Sequence, residues 1–182
     1  RHIAGVHDSI SFMASEAAKK AIESAGIDPT QINMVISHGS EYKDHVVWNA
    51  AGKIQHNVGA VNAFAFEMYA LCAGAPIAMY IARSMMIADP ALDTVLIVAG
   101  SRENDLISPT NPRARFMYNL GAGASAMILK RDYDKNLVLG ASSITDGSLS
   151  DTVMLTTETD AIGSDSPIHG EVVGMLDVRN SY

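Results

Sequence analysis

The sequence predicts an α/β fold: a mostly parallel sheet covered by helices, with an antiparallel pair near the end. Three observations lead there. Amphipathic stretches with apolar residues at three- and four-residue spacing alternate with continuous β-prone apolar runs. The turns between them are short. The chain, 182 residues with 48% hydrophobic and 18% charged, is large enough to bury one core. Strands that are apolar throughout, rather than alternating, belong in a sheet covered on both faces. The composition excludes disorder, collagen-like repeats and small disulfide-stapled scaffolds.

The elements follow in chain order. Over residues 9–25, Ile10, Met13, Ala14, Ala17, Ala18, Ala21 and Ile22 form one stripe, with Glu16, Lys19, Lys20 and Glu23 opposite and Gly26 as the stop. That spacing predicts an amphipathic helix. Asp28-Pro29-Thr30 predicts a turn, and Met34-Val35-Ile36 a buried strand ending at the polar His38-Gly39-Ser40-Glu41. A second helical stripe, Val47, Ala50, Ala51, Ile54 and Val58, closes at Gly59, and residues 63–66 form a strand that runs into Cys72. A third helix covers residues 73–88, with Met79, Met85 and Met86 as core and Pro76 in the first turn, where its missing N–H costs little. Residues 94–99 make the third buried strand. Residues 101–119 form a polar loop with two prolines, three arginines and no periodicity, and loops of that length are usually functional. Residues 124–129 and 137–144 predict the antiparallel pair. Beyond Thr145 the chain is rich in Ser, Thr, Asp and Gly, with weak strands at 152–156 and 171–178.

The 13 Lys and Arg against 20 Asp and Glu give a net charge of −7, and no segment clusters basic residues, which argues against nucleic acid as a partner. Polar residues break every apolar stretch before eighteen, and the opening RHIAGVHDS has no export pattern, so the reading is a cytoplasmic protein with no membrane partner. The start on Arg1 without methionine, directly before a helix, reads as a piece cut from something longer.

Cys72 is the single cysteine, so no internal disulfide or Cys-x-x-Cys site exists, and the thiol is either a core filler or a nucleophile. Its setting, Ala70-Leu71-Cys72-Ala73-Gly74-Ala75-Pro76, places it at the mouth of the third helix. A helix N-terminus favours thiolate, and the small neighbours leave room for a substrate carbonyl against the backbone. The expectation is a Cys72 buried, or nearly so, at that helix start. His38, Glu41, Asp44 and His45 are all metal-ligating types, but they match no helix-borne His-x-x-x-His pair and no thiolate joins them. A binding loop at the end of a strand is the better reading, with no metal and no cofactor. Gly121-Ala122-Gly123 lacks the third glycine of a dinucleotide fingerprint, and close packing beside the strand and helix that flank Cys72 is expected instead.

Three segments, RHIAGVHDSISFMASEAAKKAIESAGIDPTQI, NVGAVNAFAFEMYALCAGAP and SPTNPRARFMYNLGAGASAMIL, resemble the N-terminal half of β-ketoacyl-acyl carrier protein synthase III in order and spacing, from Arg1 to about Leu129. The resemblance implies the thiolase fold and a homodimer. Its activity would be an acyltransferase reaction of lipid metabolism: a cysteine is acylated by acyl-CoA, and decarboxylative Claisen condensation with malonyl-acyl carrier protein follows. Residues 1–182 would be a thiolase-like N-terminal half of a longer enzyme, with 145–182 as an irregular extension. Acyl-CoA and acyl carrier protein are the implied partners, acyl-CoA entering as substrate.

Carried over by position, Cys72 falls on the nucleophile, with its own N–H as one oxyanion donor. Val47 and Trp48 fall where the family sends a side chain across the dimer interface into the partner's acyl pocket. Arg113 lies, with a one-residue shift, near the arginine that touches the CoA adenine. Two departures mark a divergent relative: Asn119-Leu120-Gly121-Ala122-Gly123-Ala124 replaces Gly-Asp-Gly-Ala-Gly-Ala, and Glu67 replaces an aspartate. The family's catalytic His and Asn come from its second half, and neither is matched here; His169 stands in no matching motif. This chain is therefore expected to load an acyl group slowly or not at all and never to condense it.

Two alternatives stand beside this reading. Ser40-Glu41 with Phe66-Glu67 and Cys72 is also similar to hydroxymethylglutaryl-CoA synthase, in which Glu41 would act as general acid/base if buried in the pocket. A non-catalytic thiolase-like dimerisation module is the other, and a cysteine hydrolase ranks behind both because no histidine stands in a motif that would pair with Cys72. Residues 62–66 are expected to pair with their symmetry mate.

Overall fold

The computed structural model describes residues 2–107, 110, 112–150, 152–155 and 176–178. The chain divides into two compact units, one of Ala4–Ser101 with Gly123–Ser143, the other of Arg1–Ile3, Arg102–Ala122 and Ile144–Tyr182.

The first unit is a four-stranded sheet with helices on both faces. Helix α1 (Ile10–Ala25) starts where predicted: Ser9 accepts a hydrogen bond from Phe12 N, and Gly26 closes the helix in the left-handed conformation at φ 64°. The Asp28-Pro29-Thr30 turn is a 3-10 turn, Pro29–Gln31, closed by a capping box between Asp28 and Gln31. Strand β1 (Met34–Gly39) runs three residues past the predicted end. Helix α2 (Ala50–Val58) is capped by Asn49 and ends at Gly59. Val47, expected to open that helical stripe, lies outside it at φ 50°, because Asn49 caps the helix two residues later. Strand β2 (Phe64–Tyr69), helix α3 (Gly74–Ala88) and strands β3 (Thr94–Ser101) and β4 (Gly123–Lys130) complete the unit.

The strand order is β2-β1-β3-β4, with β1 parallel to both neighbours and β4 antiparallel to β3. From β1 the chain crosses to β2 on one side, then back past β1 to β3 on the other. Right-handed crossovers that reverse direction put their helices on opposite faces. The core shows that division. Ala14, Ile22, Ile54 and Val58 from α1 and α2 pack with Val35, Leu96 and Val98, whereas Ala78, Ala82 and Met86 from α3 pack with Met34, Ile36, Val95 and Ile97. Successive strand residues alternate between the two clusters, so the apolar runs Met34-Val35-Ile36 of β1 and Val95-Leu96-Ile97-Val98 of β3 are covered on both faces. Met79 and Met85 pack against the α3 cluster as helix core.

Three expectations change. Residues 137–144 form no strand; β4 pairs instead with β3 over eight residues, Thr94↔Lys130 to Ser101↔Gly123, because the long β3 offers a complete open edge. Leu137, Leu139 and Ile144 are exposed. The strand that begins at Gly123 does not lie beside the strand that leads to Cys72: β4 occupies the sheet edge opposite β2, with β1 and β3 between them. Gly121 is needed for a close approach to the His2 backbone, whose carbonyl accepts from Ala122 N at 2.9 Å. Residues 71–88 do reach the length and mean hydropathy (1.4) of a membrane span, although the window contains Arg83; Ala78, Ala82 and Met86 on this segment are core residues.

In the second unit the 101–119 loop contains two 3-10 turns, Glu103–Leu106 and Pro112–Met117, with Ile107 and Met117 buried together. Strands β5 (Val153–Leu155) and β6 (Leu176–Val178) pair antiparallel, within the two segments predicted as weak strands. His169 lies outside the described residues.

Candidate functional site at the carboxyl ends of the parallel strands

Cys72 follows β2 after a sharp reversal. Leu71 adopts φ 47°, a left-handed conformation that costs a non-glycine residue roughly 1–2 kcal/mol. The reversal turns the chain through the 3-10 segment Leu71–Ala73 directly into α3, whose N-terminus no side chain caps. Cys72 thus stands at the helix start, as expected, but it is exposed, not buried. Leu71 itself, at the positive φ, is 64% exposed.

The first helical residue explains the small neighbours. Gly74 is buried, and a Cβ there would lie 2.6 Å from His38 Nδ1. His38, at the end of β1, therefore forms the floor under the first turn of α3. Its Nδ1 is buried with no hydrogen-bond partner among the described residues, and burial holds the imidazole below its usual pKa by disfavouring the charged ring.

Beside His38 is a cavity of about 20 Å³, the room of one water molecule, lined among others by Ser37, Lys43, Glu67 and Tyr69. It opens at the carboxyl ends of parallel strands, where open α/β sheets bind ligands. Cys72 is not among its lining residues; the thiol lies three positions beyond Tyr69. Lys43 and Glu67 form an ion pair at 2.7 Å with side chains only 11% and 12% exposed. The Lys43 ammonium also donates to Tyr69 Oη at 2.7 Å and to the Trp48 carbonyl. Burial pulls the Lys43 pKa down, but the hydrogen bonds and negative charge of Glu67 and Tyr69 outweigh it and hold the pKa above its usual value.

The structure separates the other sequence candidates. Glu41 is exposed, so the burial that a general acid/base role there would require is absent. Asp44 caps α1 from 34 residues away, accepting from Ile10 N at 2.7 Å and Ser11 N at 3.0 Å, and among the described residues no three His, Cys, Asp or Glu side chains stand together as a metal site. His45 meets Trp48 edge to face at 5.1 Å. Val47 projects fully into solvent, and Trp48 is half-buried. Arg113 belongs to the Pro112–Met117 turn, and its side chain lies outside the described residues. Sequence reasoning missed Lys43 altogether. Its partner is 24 residues away, and no local pattern joins them.

The sequence pattern of the 3-oxoacyl-[acyl-carrier-protein (ACP)] synthase III family matches residues 66–147, a span that takes in the last four residues of β2, Cys72, α3, β3 and β4. The chain is 31% identical over 155 residues to the β-ketoacyl-[acyl-carrier-protein] synthase III of Thermosynechococcus vestitus, covering 85% of this chain and 45% of that one. The fold superposes on the 3-oxoacyl-[acyl-carrier-protein] synthase III of Aquifex aeolicus with a TM-score of 0.75 and 25% identity, over 84% of this chain and 48% of that one. The chain is similar throughout these matches to the N-terminal half of the synthase III, thiolase-like family. It corresponds to the N-terminal half of that thiolase-like fold and spans about half the length of the curated relatives it matches. The priming β-ketosynthase of the R1128 polyketide pathway is similar over 98% of this chain and 51% of its own, with a TM-score of 0.71 and 25% identity. Against the synthase III pattern as read from the sequence, Glu67 departs by carrying one more methylene than the usual aspartate. That longer side chain is the one that meets Lys43.

Proposed function

We propose that this chain is the acyl-loading part of a synthase III-type condensing enzyme, with Cys72 as the nucleophile. The observation that carries the reading is the placement of the only thiol on a strained strand-to-helix reversal, exposed and beside an uncapped helix start. There the Cys72 thiolate would attack the carbonyl of an acyl-CoA thioester. A new C–S bond forms, the old one breaks, and CoA leaves as its thiolate. Backbone N–H groups at the start of α3 would stabilise the oxyanion, a contribution worth about 3–4 kcal/mol per donor in acyl-transfer enzymes. Condensation with malonyl-acyl carrier protein would need further hydrogen-bond donors at the second carbonyl, which this chain's described residues do not gather around Cys72.

The same reading proposes a cytoplasmic homodimer. β2 is an edge strand whose Phe64 is 47% exposed and stacks on Phe66 at 6.5 Å, so a second copy paired along this edge would cover both the open hydrogen bonds and the rings. Mass spectrometry after incubation with isotope-labelled acetyl-CoA tests the chemistry. At most a slowly formed acetyl adduct on Cys72, lost in Cys72→Ala, is expected, with no β-ketoacyl product when malonyl-acyl carrier protein is added. A thiol that alkylates no faster than free cysteine and takes no acetyl group would instead favour a silent dimerisation module. Sedimentation showing a stable monomer at micromolar concentration would count against the dimer.

A further inference from the structure

The loop between β1 and α2 is fastened at two consecutive residues that pull toward different elements. Lys43 reaches the end of β2, and Asp44 reaches the first turn of α1. An ammonium has three protons, and those of Lys43 meet three acceptors: the Glu67 carboxylate, the Tyr69 hydroxyl and the Trp48 carbonyl. A nearly buried ion pair persists only when its hydrogen bonds are satisfied in this way. Four residues beyond Lys43, Val47 holds φ 50°, a conformation that a β-branched residue adopts only under constraint, and its side chain has no packing to offset the strain.

We infer that Lys43 is a positioning residue, whose ammonium ties the loop to β2 and so holds Val47 and Trp48 in one presented conformation. The functional meaning rests on the resemblance above, in which a side chain at Val47 or Trp48 crosses the dimer interface into the partner's acyl pocket. Because Lys43 contacts the backbone of Trp48 and the side chains that end β2, the same cation would set where that side chain is presented relative to β2.

Trp48 is the single tryptophan of the chain, so its fluorescence reports this loop alone. The variant to compare is Lys43→Met/Glu67→Gln, which removes both charges and leaves no buried carboxylate unpaired. A folded double variant, by circular dichroism, is expected to show its Trp48 acrylamide-quenching constant raised about twofold, as a loop freed for local opening would. An unchanged constant in the folded variant overturns the proposal. If the double variant does not fold, Lys43→Gln is read by the same criterion, since it keeps an N–H donor near Glu67 but is too short for the Trp48 carbonyl. Failure of both to fold also overturns it, because Lys43 would then be a stability element and not a loop anchor. The readout contains no acyl donor, so its failure is distinct from a failure of Cys72 to load.

Discussion

His38 and Gly74 meet across the sheet-to-helix junction so closely that a single methyl group on Gly74 would lie 2.6 Å from His38 Nδ1 and 3.1 Å from Cγ. The obstacle is a ring on a half-buried strand end, not the tip of a flexible side chain. Either the strand or the first turn of α3 must shift to admit the methyl. Gly74→Ala should therefore destabilise the fold by about 1–3 kcal/mol, despite the better helix propensity of alanine. It should also slow acyl loading on Cys72, two residues earlier. Adding His38→Ala should recover most of the stability, and chemical denaturation of the two single variants and the double variant measures that coupling. Additive losses would show that the two residues do not clash.

The pH dependence follows from the same histidine. Burial lowers the His38 pKa in the folded state from its usual 6.5, so the unfolded chain binds more protons in the interval between the two values. The contribution is fully present above about pH 6.5 and is lost as the pH falls through the folded value. Tyr42, Lys43, Glu67 and Tyr69 share the cleft with the ring, and the opposite charges of Lys43 and Glu67 are paired there, so burial is the cause that acts on His38. Urea midpoints measured from about pH 8 down to about pH 5 should fall for the unaltered chain and flatten in His38→Gln. Parallel curves would remove His38 as the cause.

Leu71 tests the reversal before Cys72. Its side chain is exposed, so substitutions there act mainly on the backbone. Leu71→Gly relieves the left-handed strain but loosens the unfolded chain, and the two nearly cancel, giving a change within about 1 kcal/mol. Leu71→Val puts a β-branched residue at φ 47° and should cost about 1–3 kcal/mol. Thermal unfolding of both variants decides it, and equal losses would locate the effect in the side chain.

The N-terminus of α1 has two caps of unequal weight. Asp44 satisfies two backbone N–H groups with a charged carboxylate at 2.7 and 3.0 Å, whereas Ser9 meets one at 3.3 Å on the exposed side. Asp44→Ala should cost about 1–2 kcal/mol, and Ser9→Ala about half of that. The reverse order in denaturant midpoints would show that Asp44 is a loop residue with no capping role.

By itself the sequence determined the alternation of helices and strands, the helix stops at Gly26 and Gly59, the doubly buried β1 and β3, and the placement of Cys72 at a helix start. Each depends on local periodicity or on the conformational preference of one residue. Tertiary structure decided what pairing across distance controls. β4 chose β3 because that edge was complete, leaving residues 137–144 without a partner that no local pattern could foretell. Asp44, one of four metal-ligating types in its segment, became a helix cap because β1 delivers its loop to the start of α1. Lys43 and Glu67 lie 24 residues apart and meet only because parallel pairing sets Ser37 beside Glu67 and brings the next loop over the end of β2. The path from β2 into α3 likewise set the positive φ of Leu71 and left Cys72 exposed, and nothing in the leucine side chain announces either.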